Sequence, residues 1–122
     1  RQLPYLGNPD IHGINIAIKY MRLHLNENIR MEDVSREAQM GYSKFRKLFR
    51  EYTGFAPAQY FLQLKMERAK GYLLNTTLSC KEIAYRLGFD SSSYFNKMFR
   101  IHQGMTPLEF RSTRDVQTMP NG

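Results

Sequence analysis

The sequence of 122 residues predicts an all-α fold in which one small helical unit occurs twice. Apolar residues recur at steps of three and four along most of the chain, which is the spacing of one helix face. No segment carries a strand pattern of comparable strength. Aromatic, glycine and proline positions then repeat at a distance of fifty residues. The first copy has Phe45, Phe49, Arg50, Gly54, Pro57 and Tyr60, and the second has Phe95, Phe99, Arg100, Gly104, Pro107 and Phe110.

The first predicted helix follows a segment without periodicity. Residues 1–10 contain Pro4, Gly7 and Pro9 and are predicted to be a linker from a missing upstream region. The tandem domain itself is predicted to span residues 11–112. One helix face is formed by Ile11, Ile14, Ile18, Met21 and Leu25, and Asn26 and Asn28 are expected to end this helix.

The first copy of the unit is predicted over residues 31–52. Its two helices are expected over about 31–38 and 42–52, with a turn between them. A long helix over about 57–74 then connects the two copies, and Pro57 suits its first turn because the N–H that proline lacks would have no partner there. The connecting helix has an apolar stripe formed by Ala58, Leu62, Met66, Ala69 and Leu73, widened by Phe61, Leu64 and Tyr72.

The second copy is predicted over residues 79–101. Ser79 and Glu82 match a capping box, in which each side chain accepts a hydrogen bond from the other residue's N–H, and the helix that they begin is expected to stop at Gly88. The next helix is expected over about 91–101, with Asp90 or Ser91 as its cap.

The two copies differ by one residue in the turn. Val34 and Ala38 are matched by Ile83 and Leu87 at an offset of forty-nine, so the second copy has gained a residue near Asp90. After this copy, a last short helix is predicted from Pro107 to about Arg111, and residues 113–122 are expected to form a flexible tail.

The charge balance and the residue content restrict which partners, compartments and cofactors are expected. Eighteen Lys and Arg against eleven Asp and Glu give a net charge of +7, which favours a polyanionic partner. Cys80 is the only cysteine, which fits a reducing compartment. No apolar run approaches the roughly 20 residues that span a bilayer, and a cytoplasmic protein without membrane contact is expected. The histidines at 12, 24 and 102 have no metal-site spacing, so we predict no metal, no cofactor and no catalytic residue.

The third predicted helix has the chemistry of a DNA-reading helix. Phe45, Leu48, Phe49 and Tyr52 are expected on its buried side. Four cations and no acid occur between Tyr42 and Arg50, and arginine can bind guanine through two hydrogen bonds. The residues predicted to bind DNA here are Tyr42, Ser43, Lys44, Arg46, Lys47 and Arg50.

The sixth predicted helix repeats the geometry with fewer charges. Phe95, Met98 and Phe99 are expected to be buried, while small polar groups dominate the opposite side. Asparagine prefers adenine, and small hydroxyl residues permit close approach and water-mediated contacts. The residues predicted to bind DNA here are Ser92, Ser93, Asn96, Lys97 and Arg100.

These motifs resemble a known family. The segments 83–89 and 93–100, followed by Gly104, Thr106-Pro107 and Phe110-Arg111, resemble the signature of the AraC/XylS family of bacterial transcription regulators. The first copy is similar to that family's less regular first unit through residues 45–49 and 54–57, and the similarity covers roughly residues 14–111. The resemblance implies a seven-helix, homeodomain-like domain with two helix-turn-helix units joined by the long helix.

The resemblance also implies a function and partners. Both recognition helices would enter successive major grooves on one face of double-stranded DNA, with RNA polymerase as a candidate second partner. In the family this domain usually accompanies a separate sensing or dimerisation domain. Two residues depart from the family pattern, because Gln39 stands where the first turn usually has glycine and Gly41 stands at a cap where serine is common.

Two other functions stay open at this point. A basic helical module could dock an acidic protein partner, and a nonspecific DNA-compacting protein would show no sequence preference. Competition between specific and random duplexes discriminates these classes, since a specific duplex displaces random duplex preferentially only from a sequence-specific protein.

Overall fold

The computed structural model describes residues 8–118 and contains seven α-helices within that range. Their order and bounds are α1 (Pro9–Leu23), α2 (Met31–Glu37), α3 (Tyr42–Thr53), α4 (Pro57–Asn75), α5 (Cys80–Arg86), α6 (Ser92–Gln103) and α7 (Pro107–Thr118). No residue between 8 and 118 lies in a strand. The all-α prediction and the number of helices are therefore confirmed.

The chain divides into two units within α4. The first unit ends at Leu62 and the second begins at Gln63. In the first unit α1 packs against both α2 and α3. Its most deeply buried apolar side chains, each at most 3% exposed, are Ile14, Ala17, Met21, Val34, Phe45 and Phe49.

The second unit has a core of the same kind. Here α5 packs against α6, and α6 packs against α7. The corresponding side chains, each at most 2% exposed, are Met66, Ala69, Leu73, Ile83, Ala84, Leu87, Phe95 and Phe99. Each unit has two fully buried phenylalanines in its core, and the second of them, Phe49 or Phe99, packs edge-on against an aromatic ring of the next helix. The ring centroids are 5.2 Å apart for Phe49 and Tyr60, and 5.5 Å apart for Phe99 and Phe110.

The helix-turn-helix turn is formed by the same main-chain hydrogen bonds in both units. Three N–H groups donate in each turn: Ala38 to Val34, Gln39 to Arg36 and Met40 to Ser35, and Leu87 to Ile83, Gly88 to Tyr85 and Phe89 to Ala84. The turn requires a left-handed residue, since φ is 76° at Gly88 and 57° at Gln39. Glycine adopts this conformation freely, whereas a residue with a Cβ atom is strained in it.

Both predicted boundaries of the first helix are wrong. The predicted linker overlaps α1, which begins at Pro9 with Asn8 as its cap, because the Asn8 side chain accepts a hydrogen bond from the N–H of Asp10 at 2.9 Å. The same helix ends at Leu23, before Asn26. Residues 1–7 of the predicted linker lie outside the described residues.

The predicted flexible tail overlaps a helix. α7 continues to Thr118 instead of stopping near Arg111. The guanidinium groups of Arg111 and Arg114 both donate to the main-chain oxygens of Leu73 and Thr76, at 2.9–3.2 Å. Because carbonyls at a helix C-terminus lack intrahelical partners, these bonds fasten α7 to the end of α4. Residues 119–122 lie outside the described residues.

Candidate nucleic-acid interface

One side of α3 is buried and the other carries the predicted DNA-binding side chains. Phe45 and Phe49 are fully buried, with 0% of their surface exposed. Leu48 is partly buried, but Tyr52 is 46% exposed, so its predicted place in the core is wrong. All six predicted DNA-binding residues of this helix, Tyr42, Ser43, Lys44, Arg46, Lys47 and Arg50, are exposed.

Four of these six residues line one concavity. It has a volume of about 300 Å³ and lies beside the start of α4. Its lining residues are Ser43, Arg46, Lys47, Arg50, Ala56 and Pro57. Three cations around one open concavity form a local positive field that suits a phosphate group.

The other two predicted residues of α3 have contacts within the protein. The guanidinium carbon of Arg46 lies 5.6 Å from the centre of the Tyr42 ring, which is the distance of a cation–π contact. The ammonium of Lys44 lies 3.1 Å from a carboxylate oxygen of Asp10 in α1. An exposed pair of this kind contributes little to stability and is screened by salt. It does turn Lys44 toward α1, which helical periodicity could not predict.

The exposed side of α6 matches that of α3 in geometry. Phe95 and Phe99 are fully buried, and Met98 is partly buried. Four of the five predicted DNA-binding residues, Ser93, Asn96, Lys97 and Arg100, are exposed, and Ser92 is partly buried. The helix is capped by Ser91, whose hydroxyl accepts a hydrogen bond from the N–H of Tyr94 at 3.1 Å.

Tyr94 is a surface residue of α6 that is not among the predicted DNA-binding residues. It is 51% exposed and stands between exposed Ser93 and buried Phe95. Its ring centroid lies 6.1 Å from that of Phe89, so the apolar part of the ring rests on the turn before the helix. The repeat could have identified Tyr94 as a candidate, because its equivalent at an offset of fifty is Lys44, a predicted DNA-binding residue.

The described part of the chain contains neither a three-residue metal cluster nor a membrane-spanning helix. Within residues 8–118, no three His, Cys, Asp or Glu side chains are grouped so that they could hold a metal ion. No helix in that range has the length and apolar character needed to cross a membrane.

The sequence matches known proteins over most of its length. The family model described as "Helix-turn-helix domain" matches residues 34–113. The regulatory protein PocR of Salmonella typhimurium is 32% identical over 104 residues, which cover 85% of this chain and 34% of PocR. The transcriptional regulator ExsA of Pseudomonas aeruginosa is 33% identical over 113 residues, 93% of this chain and 40% of ExsA. The chain thus spans between a third and two fifths of these relatives.

Solved structures extend the match to the fold. An AraC-type transcriptional regulator from Chromobacterium violaceum superposes with a TM-score of 0.81 at 28% identity, covering 85% of this chain and 93% of that one. The DNA-binding domain of the global transcriptional factor AdpA, solved in complex with a target DNA, gives a TM-score of 0.83 at 27% identity, covering 90% and 98%. The chain therefore belongs to the AraC/XylS family of transcription regulators, of which it carries the helix-turn-helix DNA-binding domain.

Proposed function

We propose that the chain binds double-stranded DNA sequence-specifically and that α3 and α6 are its two reading helices. The observation that carries this proposal is the repeated geometry of these helices. Each is held by a pair of fully buried phenylalanines, and each leaves a polar side exposed. A recognition helix needs this combination, because one side must be fixed by the protein while the other enters the major groove.

The two helices would read DNA by different chemistry. Arg46, Lys47 and Arg50 in α3 offer charged donors for guanine and phosphate, whereas Ser93 and Asn96 in α6 offer small polar groups. A good two-point arginine–guanine contact is worth about 1–3 kcal/mol of discrimination. Charged contacts also raise affinity for any sequence. α3 is therefore expected to contribute more to binding affinity, and α6 to read its bases more weakly or more adaptably.

The expected DNA site is asymmetric. Two unlike reading helices occur in one chain, so one monomer needs no palindrome. If each helix occupies one of two successive major grooves, the two halves of the site are centred about 10 bp apart.

The full-length protein is proposed to contain more than this domain. The chain spans 34% of PocR and 40% of ExsA, and a sensing or dimerisation domain would account for such additional length. RNA polymerase is the partner that a transcription regulator would address once bound to DNA. We place this activity in the bacterial cytoplasm, where the DNA lies.

Selection of bound duplexes from a random pool tests the proposal most completely. We expect a two-part motif without two-fold symmetry within one monomer's footprint. A motif with strict two-fold symmetry within that footprint would contradict the monomeric, two-headed arrangement. Recovery of no motif would contradict sequence-specific binding and favour a nonspecific DNA binder or a protein-interaction module.

The salt dependence of binding measures how much the basic surface contributes. With about six phosphates neutralised, the slope of log affinity against log salt is expected near −5. Binding to the selected duplex by fluorescence anisotropy at several salt concentrations gives this slope. A slope flatter than about −2 would mean that most cations are not in contact with phosphates, and it would favour an acidic protein partner.

A further inference from the structure

Lys65 in α4 is a buried cation. Only 6% of its surface is exposed, and the one other buried polar residue among those described is Ser35. An ammonium withdrawn from water is strongly destabilising unless hydrogen bonds or opposite charge offset the loss of hydration. A lysine is therefore retained in such a place only if the surrounding groups satisfy it.

The ammonium of Lys65 contacts the turn before the second reading helix. It donates a hydrogen bond to the main-chain oxygen of Leu87, the residue that caps the C-terminus of α5. Carbonyls at a helix C-terminus lack intrahelical partners and carry partial negative charge, which a cation stabilises. The ammonium also lies 5.6 Å from the centre of the Phe89 ring, within range of a cation–π contact.

Phe89 links this contact to α6. Its side chain is only 9% exposed, and its ring centroid lies 5.3 Å from that of Phe95, a fully buried residue of the reading helix. Lys65 therefore holds both the end of α5 and the aromatic side chain that packs against α6. The short segment between Leu87 and Ser92 leaves α6 little freedom to move independently of these two contacts.

The first unit shows that this cation is not a general requirement of the turn. The carbonyl equivalent to that of Leu87 belongs to Ala38, at an offset of forty-nine. In the first unit α1 approaches this carbonyl with its backbone, since a Cβ atom added to Gly13 would lie 2.9 Å from the Ala38 oxygen. The same turn is thus held by direct backbone packing in one unit and by a lysine in the other.

We propose that Lys65 is a positioning residue for DNA recognition, which fixes α6 in its reading orientation without touching DNA. The proposal rests on the proposed function of α6 as a reading helix. Since one base contact is worth about 1–3 kcal/mol, a misplaced α6 should weaken binding by about 5- to 150-fold. The loss should fall only on the bases that α6 reads.

The test compares Lys65→Met with Lys65→Arg and with Lys70→Met. Lys70 lies on the same helix in a surface ion pair with Glu67, so Lys70→Met removes the same charge from a place where it matters little. Affinities are measured for single-base variants of the selected duplex. The bases read by α6 are identified beforehand as those whose preference Asn96→Ala alters.

Lys65→Met is expected to flatten base preference in the α6 half alone, with the α3 half and the salt slope unchanged. Lys65→Arg should retain most of that preference because it keeps a charged donor, and Lys70→Met should behave as the unmodified protein does. Unchanged preference in the α6 half, or equal loss in both halves, would overturn the proposal.

A second variant keeps the test decisive if Lys65→Met fails to fold, as judged by circular dichroism. Phe89→Leu keeps the site apolar but removes the ring that the ammonium contacts, and it should flatten preference in the same half. Retention of full preference by Phe89→Leu would then overturn the proposal. Failure of the proposed function is distinguishable, because in that case the unmodified protein selects no motif at all.

Discussion

The two units share one turn and one core pattern, but they differ at the ends of their helices. α5 begins with a complete capping box, in which the Ser79 hydroxyl accepts from the N–H of Glu82 at 3.0 Å and the Glu82 carboxylate accepts from the N–H of Ser79 at 2.8 Å. The equivalent helix α2 begins at Met31, and its cap residue Arg30 makes no side-chain cap hydrogen bond. Similarly, Ser91 caps α6, whereas Gly41 gives α3 no side-chain bond.

The same difference recurs at α4 and α7, the helices that follow α3 and α6. In the second unit Thr106 and Glu109 form a second capping box, with bonds of 2.8 and 3.1 Å. In the first unit Ala56 offers no side-chain oxygen, and only its N–H donates, to Gln59 at 3.4 Å. The second unit therefore satisfies the orphan N–H groups of its helices with its own side chains more fully than the first.

The second unit therefore has the better-capped helices, and the first unit has the more strongly charged one. A Ser or Thr cap is worth about 1 kcal/mol relative to alanine, but only a few tenths of a kcal/mol relative to glycine. The first unit lacks three such caps and also holds Gln39 in a left-handed conformation, at a further cost of about 1–2 kcal/mol. It concentrates four cations on α3, and like charges on one helix face destabilise it by a few tenths of a kcal/mol per pair. Under the proposed function, the charge of the first unit would favour attraction to phosphate, and the caps of the second would favour a well-fixed reading helix.

Removing one of the buried phenylalanines, which both units share, should destabilise the protein more than any other change proposed below. Phe49→Ala and Phe99→Ala should each lower the free energy of unfolding by about 3–5 kcal/mol, because both rings are fully buried. Chemical denaturation of both variants measures this. Tyr52→Ala is the matched control, since that ring is 46% exposed and its removal should cost much less. A cost for Phe99→Ala no larger than for the control would mean that α6 is oriented differently.

A smaller effect should follow from exchanging the residues of the turn. Gln39→Gly is expected to stabilise the first unit by about 1 kcal/mol, and Gly88→Gln to destabilise the second by a similar amount. Native-state hydrogen exchange at the amides of α3 and α6 reports each unit separately. If Gly88→Gln left the exchange of α6 unchanged, strain at this position would not distinguish the units.

Adding the missing side-chain cap to α3 should stabilise that helix and leave α6 unchanged. Gly41 has an ordinary φ of −63°, and a Cβ atom placed there meets nothing within 4 Å, so a serine side chain fits. Gly41→Ser is expected to stabilise α3 by a few tenths of a kcal/mol, because glycine is itself a tolerable cap. Slower amide exchange in the first turn of α3, with that of α6 unchanged, would be the result; faster exchange would contradict it.

The weakest of these effects should be a loss of stability in acid that is caused by two carboxylates of the second unit. Hydrogen bonds from the N–H and hydroxyl of Ser79 hold the pKa of Glu82 below its ordinary value of 4.5, and Thr106 does the same for the pKa of Glu109. A lowered pKa in the folded state adds stability that is present above pH 4.5 and is lost as the pH falls through the lowered pKa.

The exchange of α5 and α7 amides, followed from pH 6 downward, checks this response to acid. The double variant Glu82→Gln and Glu109→Gln keeps the side-chain shape without the titrating charge, so its pH dependence should be flatter. A double variant with the same pH dependence as the unmodified protein would show that these two carboxylates are not responsible.

The repeat and the buried phenylalanines could be predicted from sequence because they depend on local periodicity. The capping box at Ser79 could be predicted for the same reason, since its two residues are three positions apart. Periodicity failed for Tyr52, which lies in the last turn of α3, where a helix face can extend past the core that covers its middle.

Contacts between distant residues could not be predicted in this way. Lys65 interrupts an apolar stripe and would ordinarily be assigned to solvent, but its partner Leu87 lies 22 positions away. Arg111 and Arg114 bind carbonyls 35 to 41 positions earlier, so the end of α7 has no local signal. The ion pair of Lys44 with Asp10 is of the same kind.

The most direct test of two unlike reading helices compares Arg46→Ala with Ser93→Ala on the selected duplex and its single-base variants. Arg46→Ala should cost about 1–3 kcal/mol of specific binding and relax base preference in one half of the site only. Ser93→Ala should cost less and act on the other half, since a neutral serine hydroxyl forms a weaker hydrogen bond than the charged, two-point donor of arginine. A larger loss for Ser93→Ala would make α6 the principal reader and contradict this assignment of roles.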